Sequence, residues 1–294
     1  MVALDELGSV GGAGGAVRLP GTPRPAKDDL RADRLQGSMS AMTTSEGTLE
    51  GTGAVVTGAT SGLGRAVALR LAAAGADVVL LGRSEAALQD TARDVTARGV
   101  RAVPVVVDLA DSAGLGAAVD RAAGELGGLS VLVNAAGTDA PGSAEELSLQ
   151  DWQHVLAVNL TAPFALAKAV MPHLRRRGGG LIVNVSSVAG RRGWANATAY
   201  CSTKFALTGL TQSLAAEGRA HGIRVCVLYP GAMNTSWGIF DPTQRATGQV
   251  PAVDERDSLD PAAVADLIGW MATAPGQPVL NEVTMTPLRE GGWP

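Results

Sequence analysis

Cysteine is scarce in this 294-residue chain. There are two, Cys201 and Cys226, too few and too far apart for a disulfide framework or a metal clip. Three histidines, His154, His173 and His221, fall at no ligand spacing, so no metal is expected. Excess positive charge is missing as well. The net charge is -4, and nucleic acid is not an expected partner. The densest basic cluster, Arg175-Arg176-Arg177, runs into Gly178-Gly179-Gly180 and reads as a helix C-terminus with its cap. No uninterrupted apolar run reaches ~18 residues, so no membrane span is expected. The first residues lack an apolar signal core. A reducing, cytoplasmic setting is the expectation.

Residues 1–48 are rich in Gly, Pro, Ser and Asp without a sustained apolar period, and are expected to form a disordered tail. An arm, or an extension ahead of a start at Met39 or Met42, fits equally. From residue 49 the pattern changes. Short apolar runs are expected as strands over 54–56, 77–81, 102–107, 130–133, 181–185, 223–228 and 279–285. Helical stretches alternate with them, over 84–98, 112–126, 148–177 and 262–273, with others after Gly64 and around Tyr200. Pro163 and Pro172 are expected to bend the long one. Asp260-Pro261 is a strong start signal for the last. Continuously apolar strands alternating with helices predict an α/β fold: a parallel, doubly wound, seven-stranded sheet with helices on both faces, in one domain over 49–294. The irregular stretch 232–258 is expected to be a substrate loop, with Met233, Trp237, Ile239 and Phe240 offering an apolar surface to a moderately hydrophobic ketone.

The turn after the first strand carries Gly58, Thr60, Ser61, Gly62, Leu63 and Gly64. It follows a strand and opens a helix, so its backbone can approach a pyrophosphate at the positive helix end. An acid about twenty residues on would hold ribose hydroxyls and select NAD. Here Gly82 and Arg83 stand at the end of strand two. Arg83 can pair with a 2′-phosphate, which predicts NADP(H), with NAD(H) the lesser expectation.

The chain is organised around 181–208. A buried strand runs into Ser186 and Ser187, and a helix then carries Tyr200 and Lys204. Tyrosine and lysine four apart share a helix face. A nearby cation favours a phenolate, so Lys204 is expected to bring Tyr200 towards working pH, while Ser187 holds the same substrate oxygen. Taken alone, Tyr-x-x-x-Lys is common on amphipathic helices.

Together these motifs resemble the short-chain dehydrogenase/reductase family, in its compact single-domain, Rossmann-type branch, over about residues 51–285. The resemblance rests on Thr57-Gly58-x-x-x-Gly62-x-Gly64, Asp108-Leu109, Asn134-Ala135-Ala136-Gly137, Asn159, Ser187, Tyr200-x-x-x-Lys204, and Pro230-Gly231 with Thr235. It implies that Asp108 and Leu109 contact adenine, that Asn134, Ala135 and Gly137 flank the cofactor, and that Pro230, Gly231 and Thr235 bind the nicotinamide carboxamide. It also implies a catalytic set of Asn159, Ser187, Tyr200 and Lys204, in which Tyr200 exchanges the proton, Lys204 also binds the nicotinamide ribose, and Asn159 holds a relay water. Ala135 replaces a more usual asparagine, and Ser61 stands where many NADP-dependent members carry a basic residue. The helices of Tyr200 and Asn159 imply a homodimer or homotetramer. The segment Leu280 to Pro287 is more similar to members acting on small 3-hydroxy acids, and Gly292-Trp293-Pro294 is placed near the substrate loop or a neighbouring subunit. The expected function is interconversion of a secondary alcohol and a ketone, with a non-catalytic NADP(H)-binding sensor or subunit as the alternative. The intact four-residue set favours the enzyme.

Overall fold

The computed structural model describes residues 49–235, 256–276 and 278–290. The expected tail over 1–48, most of the expected substrate loop including Trp237, Ile239 and Phe240, and the closing Gly292-Trp293-Pro294 lie outside the described residues.

Seven parallel strands form one sheet in the order β3-β2-β1-β4-β5-β6-β7. They are β1 (Gly53–Thr57), β2 (Asp77–Gly82), β3 (Ala102–Val106), β4 (Val131–Asn134), β5 (Gly180–Val185), β6 (Ile223–Pro230) and β7 (Glu282–Met285). The helices are α1 (Gly62–Ala73), α2 (Glu85–Thr96), α3 (Leu115–Leu126), α4 (Leu149–Leu156), α5 (Ala162–Arg176), α6 (Thr198–Gly218) and α7 (Pro261–Thr273). Strand order reverses between β1 and β4, so the crevice beyond their carboxyl ends is where such a sheet receives a ligand.

The sequence explains the layers. β1 and β4 are buried throughout and apolar up to their closing Thr57 and Asn134, as strands covered on both faces must be. One face packs Val67 and Leu71 of α1, Leu88 of α2 and Ile268 of α7 against the sheet. The other packs Val119 of α3, Leu166 and Val170 of α5 and Leu214 of α6. Pro104 sits on β3, an edge strand where its missing N–H is tolerated. Asp260 caps α7 by accepting from the Ala262 N–H at 2.8 Å, with Pro261 in the first turn. Gly178, at φ 79°, closes α5 after the arginine triplet.

Most boundaries shift by one or two residues, and three differences are larger. The helix expected from Ser112 begins with one 3-10 turn and becomes α-helical at Leu115. The last strand pairs over Glu282–Met285, shorter than 279–285. The long helix carries a π turn, Ala157–Thr161, between α4 and α5, and continues as α-helix through Pro172. Pro163 directly follows the π turn, as the second residue of α5. The run 149–176 is long and apolar enough to cross a membrane by length and composition. Its apolar stripe, including Val155, Leu166 and Leu174, is instead buried in the protein core.

Candidate active site

The turn between β1 and α1 shapes one wall of the site. Gly58 has φ 67°, and a Cβ there would meet the Ala136 Cα at 3.1 Å. Gly62 has φ 50°, and its Cβ would lie 3.1 Å from the Thr235 methyl. A Cβ on Gly64 would collide with the Gly58 carbonyl, so the helix start packs directly on the turn. Ser61 occupies the N-cap of α1 but makes no side-chain capping hydrogen bond, and no acid lies in the first turn. The positive helix end is therefore directed into the crevice without an internal anion. Thr57 braces the turn from behind, its Oγ1 accepting from the Ala135 and Ala136 N–H groups at 3.0 Å each.

This turn opens on a cleft of about 780 Å3. Every expected site residue lines it except Asn134 and Asn159, which stand behind its wall. At one end are Gly58, Thr60, Ser61, Gly62, Leu63 and Gly64, with Arg83, Asp108 and Leu109. Ala135 and Gly137 lie midway, and Ser187, Tyr200, Lys204, Pro230, Gly231 and Thr235 line the far part. Arg83 is exposed and has no ion-pair partner among the described residues. Gly82 beside it lets β2 approach Thr60, whose methyl would be 2.8 Å from an added Cβ. Asp108 turns its carboxylate onto the Ala110 N–H at 2.9 Å, fixing the loop after β3.

The reacting end is built by β5 and α6. Ser186 and Ser187 leave β5 in opposite senses. Ser186 is buried and donates to the Lys204 carbonyl at 3.1 Å. Ser187 faces the cleft, accepts from the Ala189 N–H at 3.1 Å and shares a hydrogen bond with the Tyr200 phenol. Tyr200 and Lys204 are both nearly buried, and the ammonium lies 5.5 Å from the centre of the phenol ring. The Lys204 Nζ donates to the Val185 carbonyl at 2.9 Å.

Electrostatics at this end differ from the expectation that Lys204 lowers the Tyr200 pKa. Burial pushes the phenol well above its ordinary value, with the Ser187 hydrogen bond opposing and the Asp139 charge adding to the rise. Burial also pushes Lys204 down to about 8, against the attraction of Asp139. The physical reason is a dry pocket: removing water penalises phenolate and ammonium alike. In the protein alone, Tyr200 is held as the neutral acid at pH 7.

Two buried polar networks support the site. In β4, the Asn134 Nδ2 donates to the side-chain Oδ1 of Asn184 on β5 at 2.8 Å. Asn184 donates in turn to Thr211 of α6 at 2.9 Å. In the π turn, the Asn159 Nδ2 donates to the Thr138 carbonyl at 2.8 Å and to the Thr203 hydroxyl at 3.1 Å. Its Oδ1 accepts from the Thr138 N–H at 2.9 Å. The Asn159 side chain thus joins the loop after β4 to α6.

Asp139 and His154 also line the cleft, and sequence reasoning assigned neither. Asp139 stands two residues beyond Gly137, and that proximity was its only signal. Met233, expected on the substrate loop, lines the same cleft.

A parallel sheet with a glycine-rich crevice and a hydrogen-bonded Ser–Tyr pair backed by lysine defines a dinucleotide-fold oxidoreductase. The short chain dehydrogenase family profile matches residues 52–244. The chain is 36% identical over 215 residues to a 2,5-dichloro-2,5-cyclohexadiene-1,4-diol dehydrogenase of Sphingobium indicum, covering 72% of this chain and 86% of that one. A metagenomic short-chain oxidoreductase solved with NADP superposes with a TM-score of 0.69 at 33% identity, covering 82% and 99% of the two chains. Carveol dehydrogenase from Mycobacterium avium, solved with NAD, gives a TM-score of 0.74 at 28% identity over 82% and 98%. The chain belongs to the short-chain dehydrogenase family, and it is an oxidoreductase acting on CH–OH groups.

Proposed function

We propose that the protein interconverts a secondary alcohol and its ketone with NADP(H). The observation that carries this reading is the hydrogen-bonded Ser187–Tyr200 pair, with Lys204 behind it, in the same cleft as the free start of α1. When bound, the nicotinamide supplies or accepts the hydride.

Tyr200 and Ser187 both direct hydroxyls at one region of the cleft. There they would hold a carbonyl oxygen, and Tyr200 would donate its proton as that oxygen gains charge. A phenol kept protonated by burial suits this step in the reduction direction. In oxidation the side chain must first be the phenolate, which takes the alcohol proton and becomes the phenol, and cationic charge nearby would favour that phenolate. Ser187 orients the oxygen, and Lys204 is fixed by Val185 at the base of the site. Asn159 acts one layer back, as a positioning residue.

NADP is favoured over NAD by Arg83, which is exposed in the cleft at the end of β2 with no acid beside it. Arginine forks pair well with a phosphate dianion. The diol dehydrogenase relative supports a carbinol substrate. Phe164 of α5 and Phe205 of α6, each about half exposed, support a homodimer or homotetramer packed through those helices.

The test is NADPH oxidation against a panel of ketones, with Tyr200→Phe run beside the native protein. Turnover that vanishes in the variant is the expected result. Tight NADPH binding without turnover of any ketone would move the protein to the cofactor-sensor reading.

A further inference from the structure

We propose that Asp139 is a specificity-determining residue. Its carboxylate accepts a hydrogen bond from a second hydroxyl of the substrate, so the cleft takes neutral diols and hydroxyketones ahead of simple alcohols and turns away hydroxy acids. This rests on the alcohol–ketone reading above.

Position is the first observation. Asp139 lines the cleft with Ser187 and Tyr200, on the loop that leaves β4. Its charge acts on both Tyr200 and Lys204, so the carboxylate lies close to the place where the reacting oxygen would be held. It is half-buried, yet forms no ion pair among the described residues.

Its hydrogen bonding is the second. Oδ1 accepts from the Ala140 N–H at 2.7 Å. Oδ2 has no partner among the described residues. Burial raises the carboxyl pKa, as it must for an acid short of donors. A half-buried carboxylate with a spare acceptor in the cleft is open to a donor that a ligand brings.

Rigidity is the third. Thr138, the residue before Asp139, is clamped on both its N–H and its carbonyl by the Asn159 side chain. The acid is therefore presented from a fixed backbone, which is what a hydrogen bond that selects between substrates requires.

The same charge works against anions. A substrate carboxylate one or two carbons from the reacting carbon would face Asp139 in a partly dry cleft, where like charges repel strongly. The similarity of the C-terminal segment to enzymes of 3-hydroxy acids points the other way. That segment supplies no cation here to offset Asp139 among the described residues lining the cleft, where the cations are Arg83 and Lys204.

The experiment compares kcat/KM for butane-2,3-diol, butan-2-ol and 3-hydroxybutyrate, using the full chain with NADP+, in native protein, Asp139→Asn and Asp139→Ala. Native protein is expected to favour the diol over butan-2-ol by about tenfold or more. Asp139→Ala should bring that ratio near one. Asp139→Asn retains an acceptor and should keep most of the preference, while 3-hydroxybutyrate gains about tenfold in both variants. An unchanged diol ratio in Asp139→Ala, or native protein that favours 3-hydroxybutyrate, would overturn the proposal. If native protein oxidises none of the three, the alcohol–ketone reading is the one that fails. Diol binding to the NADPH-loaded chain, read by nucleotide fluorescence, then decides for Asp139. Tighter diol than butan-2-ol binding that equalises in Asp139→Ala supports it, and equal binding in native protein overturns it.

Discussion

Asn159 and Thr138 hold each other through a closed pair of hydrogen bonds. The Asn159 Oδ1 accepts from the Thr138 N–H at 2.9 Å, and its Nδ2 donates to the Thr138 carbonyl at 2.8 Å. The second Nδ2 hydrogen reaches Thr203, whose hydroxyl donates to the Tyr200 carbonyl at 2.8 Å. One amide thus joins the loop after β4 to the helix that carries the phenol. The π turn at 157–161 sets this amide where the loop and the helix meet.

Replacing Asn159 should therefore act on two neighbours together. Asn159→Ala leaves a backbone N–H, a carbonyl and a hydroxyl short of partners in a buried region, a loss of roughly 2–4 kcal/mol. A clear fall in Tm is expected. Activity should fall about tenfold to hundredfold. A purely structural lesion would lower diol and mono-alcohol turnover equally. Release of the Thr138-Asp139 backbone should instead lower the diol more, and kcat/KM for the two substrates in the folded variant checks this.

Tyr200→Phe removes the proton donor and keeps the ring. Loss of about 10^2–10^4 in kcat is expected, with the fold intact, since the buried ring is kept and only the hydroxyl bonded to Ser187 is removed. Ser187→Ala should cost less, about a hundredfold, because the phenol remains while the oxygen is held by one hydroxyl instead of two. Circular dichroism beside single-turnover kinetics separates the chemical loss from unfolding. Comparable activity in Ser187→Ala and native protein would remove Ser187 from the site.

Much of this arrangement was legible in the sequence. Strands such as Val131–Asn134 are buried on both sides, and their apolar runs could be read directly. Glycines at the β1 turn are needed where backbone meets backbone, and their spacing says so. Tyr200 and Lys204 share a helix face because of their spacing alone. Spacing did not separate Ser187 from Ser186: only in the structure does one hydroxyl meet Tyr200 and the other a backbone carbonyl. What could not be read were relations between distant segments. Nothing local in Asn184 announces a bond to Asn134, and nothing local in Asp139 announces Tyr200. The pKa of Tyr200 depended on how dry the pocket is, a property of packing that residue spacing does not carry.

Arg83→Ala should lower affinity for NADPH by about tenfold or more and leave NADH nearly unchanged. Arg83 is exposed and otherwise without an ion pair among the described residues, so the variant should fold normally. A charge-assisted pair with the 2′-phosphate accounts for a change of that size. Titration of both nucleotides by fluorescence gives the ratio. An unchanged ratio would place cofactor choice elsewhere on the cleft wall.

Lys204 makes a prediction about stability that does not depend on turnover. Its pKa is lowered to about 8 in the folded protein, chiefly by burial, from an ordinary value of 10.5. Between those values the unfolded chain binds the proton and the folded chain has released it. Stability should therefore rise with pH from about 8 upward, and the burial cost of the ammonium is fully present below that. The linkage is worth up to about 3 kcal/mol if the whole shift is expressed. Tyr200 acts in the opposite sense, since its raised pKa makes stability fall with pH above 10. The clean window is thus about pH 8 to 10. Lys204→Met removes the charge and keeps the bulk of the side chain. The variant is expected to be inactive, to melt higher than native protein at pH 7, and to show a flatter Tm between pH 8 and 10. A native profile already flat across that window would mean that the Val185 carbonyl stabilises the ammonium enough to cancel its burial.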